Sequence, residues 1–325
     1  MGKRTIVICG ATGFIGRNLA ESFSRDPACD VVAVYHRRPP FSHPGIRWIQ
    51  ADLTDASQVE KVLDGVSVLI QAAAVTSGVK DVVSRPHIHV TDNAVMNSYL
   101  FRSAYEHRLD HVVFFSCSVM LQSSALPLSE QDYDANAELH PRYFGAGWTK
   151  VYLEKMCEFY SRLGSTKFTA IRHSNVYGPH DKFDLERSHV FGATITKVMT
   201  AENFITVWGT GAEARDLLYV EDLVGMVHRV IDRQTDNFSI YNCGAGSSVT
   251  IKELVSRIIA ASGNYLSVQH DLSMPTIPTS LFLDCGKAQR ELGWQPRHSL
   301  DEGIRKTIQW WRRNNGANTG MDGNE

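Results

Sequence analysis

The stretch C-G-A-T-G-F-I-G, residues 9–16, decides how the start of this chain folds. Three glycines recur every third residue between an apolar run that predicts a strand and an amphipathic segment that predicts a helix. A tight turn needs a residue without a Cβ, and a pyrophosphate needs close access to backbone N–H groups at a helix N-terminus. The last glycine lets the helix pack closely on the strand. The residues predicted to contact a dinucleotide here are Gly10, Thr12, Gly13, Phe14, Ile15 and Gly16.

Outward from this turn, short apolar runs alternate with amphipathic helices, which is typical of a parallel sheet covered on both faces. The predicted strands are residues 4–10, 30–36, 46–50, 66–74, 111–117 and 167–179, and the predicted helices are 13–26, 55–65, 93–108 and 148–164. After Gly178 the segments shorten and Gly and Pro become frequent, which indicates a smaller lobe.

These patterns predict an α/β protein with a Rossmann-type doubly wound parallel sheet and a smaller C-terminal substrate-binding lobe. The sheet domain is expected in residues 1–175, with segments around 214–240 returning to it. The substrate-binding lobe is expected mainly in residues 176–313. The polar, Gly- and Asn-rich end, residues 314–325, is expected to be a disordered tail.

Composition excludes several classes of protein. Of the 325 residues, 43% are hydrophobic and 21% charged, with a formal net charge of -2, so no basic field points to nucleic acid. No apolar stretch is close to the length of about 18 residues that a membrane-spanning helix needs. Six cysteines are scattered without metal-ligand spacing, and the N-terminus leads directly into a strand pattern. We therefore expect a cytoplasmic protein with no metal site and no membrane or nucleic-acid partner.

The end of the second strand predicts which dinucleotide is bound. Proteins that bind NAD usually carry an acid there for the ribose 2′-hydroxyl, whereas this chain has His36, Arg37 and Arg38. Guanidinium groups suit a 2′-phosphate, so the sequence predicts NADP rather than NAD. The alternative is that the two arginines form a solvated turn. Further cofactor contacts are predicted at the ends of the third and fourth strands: Asp52, Leu53, Ala72, Ala73 and Ala74.

Together the glycine turn, the Asp-Leu pair, the alanine run, a lysine-bearing helix and N-V-Y-G-P at residues 175–179 resemble one family. It is the nucleotide-sugar epimerase/dehydratase family of extended short-chain dehydrogenases/reductases, and the resemblance covers roughly residues 3–313. Within it, residues 175–190 and 207–223 are most similar to the GDP-L-fucose synthases.

The resemblance implies NADP-dependent reduction or epimerisation at C4 of a nucleotide-activated 4-keto hexose. The partner is then a nucleotide-diphosphate sugar. Relatives pair through two helices, here about residues 93–108 and 147–163, so a homodimer is expected. The alternative is that the apolar stripes of these helices only cover the sheet.

Catalytic positions follow from the same resemblance. Lys150 matches the lysine that lowers the pKa of a catalytic tyrosine and holds the nicotinamide ribose, and His173 is a further cofactor contact. At the end of the fifth strand, Cys117 occupies the place of the hydroxyl that steadies the sugar oxygen, with Ser118 a near-equal candidate.

His189 matches the histidine that fucose synthases pair with a cysteine for 3,5-epimerisation. Val119 stands at that cysteine position, which puts the familiar epimerisation in doubt, and the alternative for the histidine is a structural or capping role. The substrate contacts implied by the resemblance are Asn175, His189, Lys197, Trp208 and Arg215.

The stretch Y-F-G-A-G-W-T-K, residues 143–150, departs from the family. The family tyrosine lies four residues before the lysine, where this chain has Ala146. One explanation is that the alanine replaces a tyrosine in this chain, and a second is that Tyr143, His189 or an ordered water supplies the proton. A third is that the chain binds NADP or a nucleotide sugar without hydride chemistry. Tyr143 shares a face with Lys150 only if the helix extends that far towards the N-terminus.

Overall fold

The computed structural model describes residues 3–75, 86–185, 188–274 and 276–315. Its strands are β1 (Arg4–Cys9), β2 (Cys29–Tyr35), β3 (Ile46–Gln50), β4 (Val68–Gln71), β5 (His111–Phe115), β6 (Lys167–His173), β7 (Asn175–Tyr177), β8 (Phe204–Trp208), β9 (Ala214–Tyr219), β10 (Phe238–Cys243), β11 (Ser248–Thr250) and β12 (Ser267–Asp271). Its helices are α1 (Phe14–Phe23), α2 (Ala56–Leu63), α3 (Thr91–Glu106), α4 (Phe144–Ser161), α5 (Val190–Thr200), α6 (Val220–Arg233), α7 (Ile251–Ser262), α8 (Gly286–Leu292) and α9 (Leu300–Asn315).

The central sheet has seven strands in the order β10-β6-β5-β4-β1-β2-β3, and every neighbouring pair is parallel. In register, Ile6 of β1 lies opposite Val31 of β2 on one side and Val68 of β4 on the other. The order of the strands along the chain reverses between β1 and β4, and open α/β sheets bind ligands at such a reversal. The Rossmann-type fold predicted from the sequence is confirmed.

Both faces of the sheet are buried because alternate residues of each strand point to opposite sides. Ile6 and Ile8 of β1 belong to the core under α1 and α6, whereas Val7 and Cys9 belong to the core under α2, α3 and α4. Strands buried on both faces are near-continuous apolar runs, which is why these segments could be recognised in the sequence.

The prediction of one strand over residues 167–179 was wrong. The chain leaves the central sheet at Ser174, whose N–H donates to the Cys243 carbonyl at 3.0 Å. The next residues, Asn175 to Tyr177, pair in parallel with β9 in a separate three-stranded sheet of order β11-β9-β7. The apolar pattern continues through the break because both strands are half-buried or buried, so the pattern alone does not reveal it.

The second lobe is built around this smaller sheet, the β8-β12 pair and helices α5, α7 and α9. Its core includes Tyr177, Phe191, Ile258 and Trp311. The last helix ends at Asn315, so Asn314 and Asn315 are helical rather than part of a tail, and residues 316–325 of the predicted tail lie outside the described residues. The domain limits drawn from the sequence stay a prediction. None of the helices in the described ranges is both long and apolar enough to span a membrane.

Candidate active site

The glycine turn forms a cradle at the carboxyl edge of β1. Gly10 has φ +68°, and a Cβ at this position would lie 2.6 Å from the Cα of Ala73 at the end of β4. A Cβ on Gly16 would collide with the Gly10 carbonyl. Gly13 precedes α1 without a side-chain cap, so the first N–H groups of the helix remain available to an anion. The cradle fits the pyrophosphate of a dinucleotide.

The two arginines after β2 are placed differently. Arg38 donates from Nη1 to the Thr12 carbonyl at 3.1 Å, and with Gly13 and Arg17 it lines a cleft of about 350 Å³ beside the glycine turn. Both side chains are exposed, and the Arg37 charge acts on Asp52. Of the two, Arg38 is the arginine that bonds to the glycine turn.

Asp52 and the residues around it lie at the end of β3. The hydroxyl of Thr54 is the main cause that lowers the pKa of Asp52, and the charges of His36 and Arg37 add to it. The His36 ring nitrogen is 3.7 Å from the Asp52 carboxylate. Leu53 is buried in the core, so only its backbone can face a cofactor. Of the three predicted alanines, Ala72 and Ala73 are half-buried and Ala74 is exposed at the rim.

Lys150 is anchored at the end of β5. Its ammonium donates to the Phe115 carbonyl at 2.7 Å and lies 4.7 Å from the centre of the Phe114 ring. Burial lowers the pKa of Lys150. The side chain is half-buried.

Cys117 lies beside Lys150. Burial raises the pKa of the Cys117 thiol, and the Lys150 charge opposes that effect, which places the two groups within electrostatic reach. Ser118 is 9% exposed, and its carbonyl accepts from Leu121 in the turn after the strand. Cys117 is half-buried and so is the more open of the two candidates.

A buried ion pair links the lysine-bearing helix α4 to strand β6. Glu154, one turn after Lys150, accepts from the Arg172 Nη2 at 2.7 Å and Nε at 3.0 Å, and from the Ser116 hydroxyl at 2.6 Å. Arg172 also donates to the Glu130 carbonyl at 3.0 Å. Sequence reasoning missed this cluster. The only available indication was a glutamate four residues after the lysine.

The two predicted histidines lie within electrostatic reach of each other. Burial lowers the pKa of His173 to about 4, and the charges of Lys150 and His189 act in the same direction. The Nδ1 of His173 is 2.7 Å from the Ser174 carbonyl, and its imidazole is neutral at pH 7. His189 precedes α5, and its side chain makes no capping hydrogen bond. Desolvation lowers the pKa of His189, and the Lys182 charge acts in the same direction.

Three of the other predicted substrate contacts, Asn175, Lys197 and Arg215, donate hydrogen bonds to backbone carbonyls. The fourth, Trp208, is 42% exposed. The Lys197 ammonium donates to Thr206 at 2.7 Å and lies 5.8 Å from the Trp208 ring centre. The Asn175 amide donates to the Asp216 carbonyl at 3.2 Å.

Arg215 holds a neighbouring segment of the chain. It donates to the carbonyls of Ile277, at 2.9 Å, and Thr279. Arg142, which sequence reasoning did not single out, donates to the Thr276 carbonyl at 3.1 Å. Two guanidinium groups therefore hold the backbone of residues 276–279 through hydrogen bonds to its carbonyls.

The carboxyl edge of the sheet offers anion-binding N–H groups, a guanidinium group and an anchored ammonium. Among the described residues, no group of three or more His, Cys, Asp or Glu side chains is arranged to hold a metal ion. This combination on a Rossmann-type sheet defines a dinucleotide-binding α/β protein.

Comparison with known proteins gives the family. The model of the NAD dependent epimerase/dehydratase family matches residues 6–244, and the chain belongs to that family. GDP-L-fucose synthase of Azorhizobium caulinodans is 27% identical over 96% of this chain and 97% of its own length. GDP-L-colitose synthase of Yersinia pseudotuberculosis is 26% identical over 94% of this chain and 97% of its own.

Solved structures agree with the fold over nearly the whole chain. MoeE5 in complex with UDP-glucuronic acid and NAD has a TM-score of 0.83 at 25% identity, with 96% of this chain and 99% of that chain covered. UDP-glucose 4-epimerase of Thermotoga maritima with UDP-glucose has a TM-score of 0.85 at 22% identity, with 95% and 99% covered.

Proposed function

We propose that this chain is an NADP-dependent enzyme that reduces or epimerises C4 of a nucleotide-activated 4-keto hexose. The observation that carries the proposal is Lys150, whose ammonium is anchored on Phe115 at the edge that also holds the glycine cradle. The cleft beside the glycine turn is lined by Thr12 and Gly13 of the first lobe and by Asp181 and Trp310 of the second. The names of the relatives, GDP-L-fucose synthase and GDP-L-colitose synthase, support a nucleotide-diphosphate sugar as substrate.

The glycine cradle and Arg38 support NADP as the cofactor. When bound, the reduced nicotinamide supplies a hydride to the sugar carbon. Arg38 lines the cleft beside the glycine turn, where a 2′-phosphate can accept charge-assisted hydrogen bonds of about 1.5–3 kcal/mol. The neighbouring Arg37, which is also exposed but is not among the residues that line this cleft, offers a matched control.

Binding titrations test the cofactor. We expect NADPH to bind more tightly than NADH, and Arg38→Ala to weaken NADPH binding about 10-fold or more while leaving NADH unchanged. Arg37→Ala should change either affinity by less than about 3-fold. Tighter binding of NADH by the unchanged chain would exclude the NADP assignment.

The reaction is tested by following NADPH absorbance with GDP-, dTDP- and UDP-linked 4-keto hexoses. Turnover is expected with at least one of them, and Lys150→Met should lose most of it. Lys155→Met is the matched control on the same helix, because this lysine is 71% exposed and pairs with Glu158 at 2.9 Å. Equal losses in both variants would show that Lys150 has no special role.

A second candidate is a nucleotide-sugar or NADP-binding protein without hydride chemistry. Ala146 favours it, because the residue at the family tyrosine position has no proton to give. This alternative predicts tight NADPH binding together with no nicotinamide oxidation in the presence of any keto sugar.

We further propose a homodimer in the cytoplasm. Large exposed side chains recur at about four-residue intervals at the start of α4: Phe144 is 61%, Trp148 37% and Tyr152 52% exposed. A second copy covering this face would bury these rings. Light scattering should then report a dimer that Tyr152→Arg disrupts and that Tyr265→Arg, at a 98% exposed position in the second lobe, does not. A reducing compartment agrees with six free cysteines.

A further inference from the structure

Tyr143 lies on the N-terminal continuation of the lysine-bearing helix. A 3-10 turn over Pro141–Tyr143 runs into α4 at Phe144, and Tyr143 has right-handed helical dihedrals of φ -101° and ψ -1°. Its N–H donates to the His140 carbonyl at 2.7 Å. Residues three, four and seven apart on a helix share one face, so Tyr143, Ala146 and Lys150 point in one general direction.

That direction is towards the end of β5. A Cβ on Gly147, on the same face, would lie 3.7 Å from the Val119 carbonyl and from the Met120 Cα, in the turn that follows the strand. Further along the face, the Lys150 ammonium bonds to Phe115 at the end of β5 itself. The first turn of the helix therefore packs against the segment that contains Cys117.

Three charged or titratable groups lie within electrostatic reach of the Tyr143 phenol. Burial raises the pKa of Tyr143, the Arg215 charge is the largest effect that opposes it, Cys117 raises it and Arg142 lowers it. The His140 ring lies 5.8 Å from the Tyr143 ring. Arg142, the residue before Tyr143, and Arg215 bond to the adjacent carbonyls of Thr276 and Ile277, so Arg215 lies close to the start of this helix.

We propose that Tyr143 is the proton donor of this site, in the role that Ala146 cannot fill, and that Arg215 is the cation that steadies its phenolate. The proposal rests on the proposed function, which supplies a keto sugar and a hydride. As the carbonyl carbon gains the hydride, the Tyr143 O–H bond breaks and a new O–H bond forms on the sugar oxygen. The phenolate that remains takes a proton from water, so the balance is one hydride and one proton per carbonyl reduced.

The charges around Tyr143 determine how readily it gives up its proton. A phenol is protonated at pH 7, and burial, which raises the pKa of Tyr143, keeps it protonated but makes it a weaker acid. A cation beside the phenol lowers the free energy of the phenolate formed in the step. Lys150 then remains a cofactor-binding ammonium on the Phe115 carbonyl rather than the group that adjusts the tyrosine.

Kinetics of Tyr143→Phe test the donor. With the keto sugar that the unchanged chain reduces, kcat should fall about 100-fold to 10,000-fold, the contribution of a positioned acid, while KM changes little. Tyr265→Phe, which removes an equally sized phenol at a 98% exposed position, should keep full activity. If Tyr143→Phe retains kcat within about 3-fold, the donor assignment is wrong.

A spectroscopic titration without cofactor or sugar tests Arg215 independently of turnover. Ultraviolet absorbance is measured against pH for the unchanged chain and for Tyr143→Phe. The difference between the two curves gives the ionisation of the Tyr143 phenol alone. Arg215→Met should move its midpoint to higher pH, and Arg215→Lys, which keeps the charge, should restore it. If the titration curves measured with Arg, Met and Lys at position 215 superimpose, the role assigned to Arg215 is wrong. If no keto sugar is reduced by the unchanged chain, the proposed function fails, and this titration still decides whether Arg215 acts on Tyr143.

Discussion

Replacing Glu154 with glutamine should strongly destabilise the chain. The carboxylate accepts three hydrogen bonds, of 2.6 Å from Ser116 and 2.7 and 3.0 Å from Arg172, and the two charged side chains are 3% and 4% exposed. Glutamine keeps the volume but leaves the guanidinium buried without its counter-charge. Removing one partner of a buried ion pair costs about 3–5 kcal/mol. Since the Glu130 carbonyl still accepts from Arg172, we expect a loss near the lower limit, about 3 kcal/mol.

Urea unfolding followed by circular dichroism measures this loss. The midpoint should fall with the slope unchanged, because the surface exposed on unfolding stays the same. Glu158→Gln, one turn further along the same helix, breaks ion pairs with the exposed Lys155 and Arg162 and should cost less than about 1 kcal/mol. Equal losses for Glu154→Gln and Glu158→Gln would refute the argument, because they would show that burial adds nothing to the pair.

Three further predictions concern the glycine turn, Asp181 and position 146. Gly16→Ala places a Cβ against the glycine turn and should weaken NADPH binding more than 10-fold by titration, whereas Gly225→Ala, whose Cβ would meet nothing closer than 4.0 Å, should not. Burial raises the pKa of Asp181 to about 7, above its unfolded value of about 4, so stability should fall as pH rises from about 4 to 7, and Asp181→Asn should flatten Tm over that range. The double variant Tyr143→Phe/Ala146→Tyr should regain part of the kcat lost by Tyr143→Phe, and failure to regain any would show that position 146 cannot host the donor in this site.

The fold could be predicted because its determinants are local in the sequence. The glycine turn at residues 10–16 and the apolar runs that flank it carry their own strand, turn and helix pattern. The break at Ser174 could not be predicted in this way. It depends on the partner that each strand finds, Cys243 in β10 before the break and Leu217 in β9 after it, and pairing partners are distant in the sequence.

The site was predicted less completely for the same reason. Lys150 and the glycine turn lie in short motifs, but the partners of Glu154 and Arg215 lie 18 and more than 60 residues away. Two adjacent arginines also cannot be told apart in a sequence, although Arg38 folds onto the glycine turn and Arg37 does not. Whether Tyr143 joined the helix depended on a 3-10 turn that begins at a proline, where a helix and a loop are both compatible with the sequence.

Ser174, the single residue between β6 and β7, limits how the second lobe can be exchanged by engineering. His173, a predicted cofactor contact, and Asn175, a predicted substrate contact, are two residues apart, about 6.6 Å of extended chain, and each is paired in a different sheet. An insertion or deletion at this crossing would shift the register of one sheet against the other. Chimaeras that exchange the second lobe for one with another substrate preference should therefore keep residues 173–175 as an uninterrupted unit and vary loop lengths elsewhere, for example around the fully exposed Tyr265.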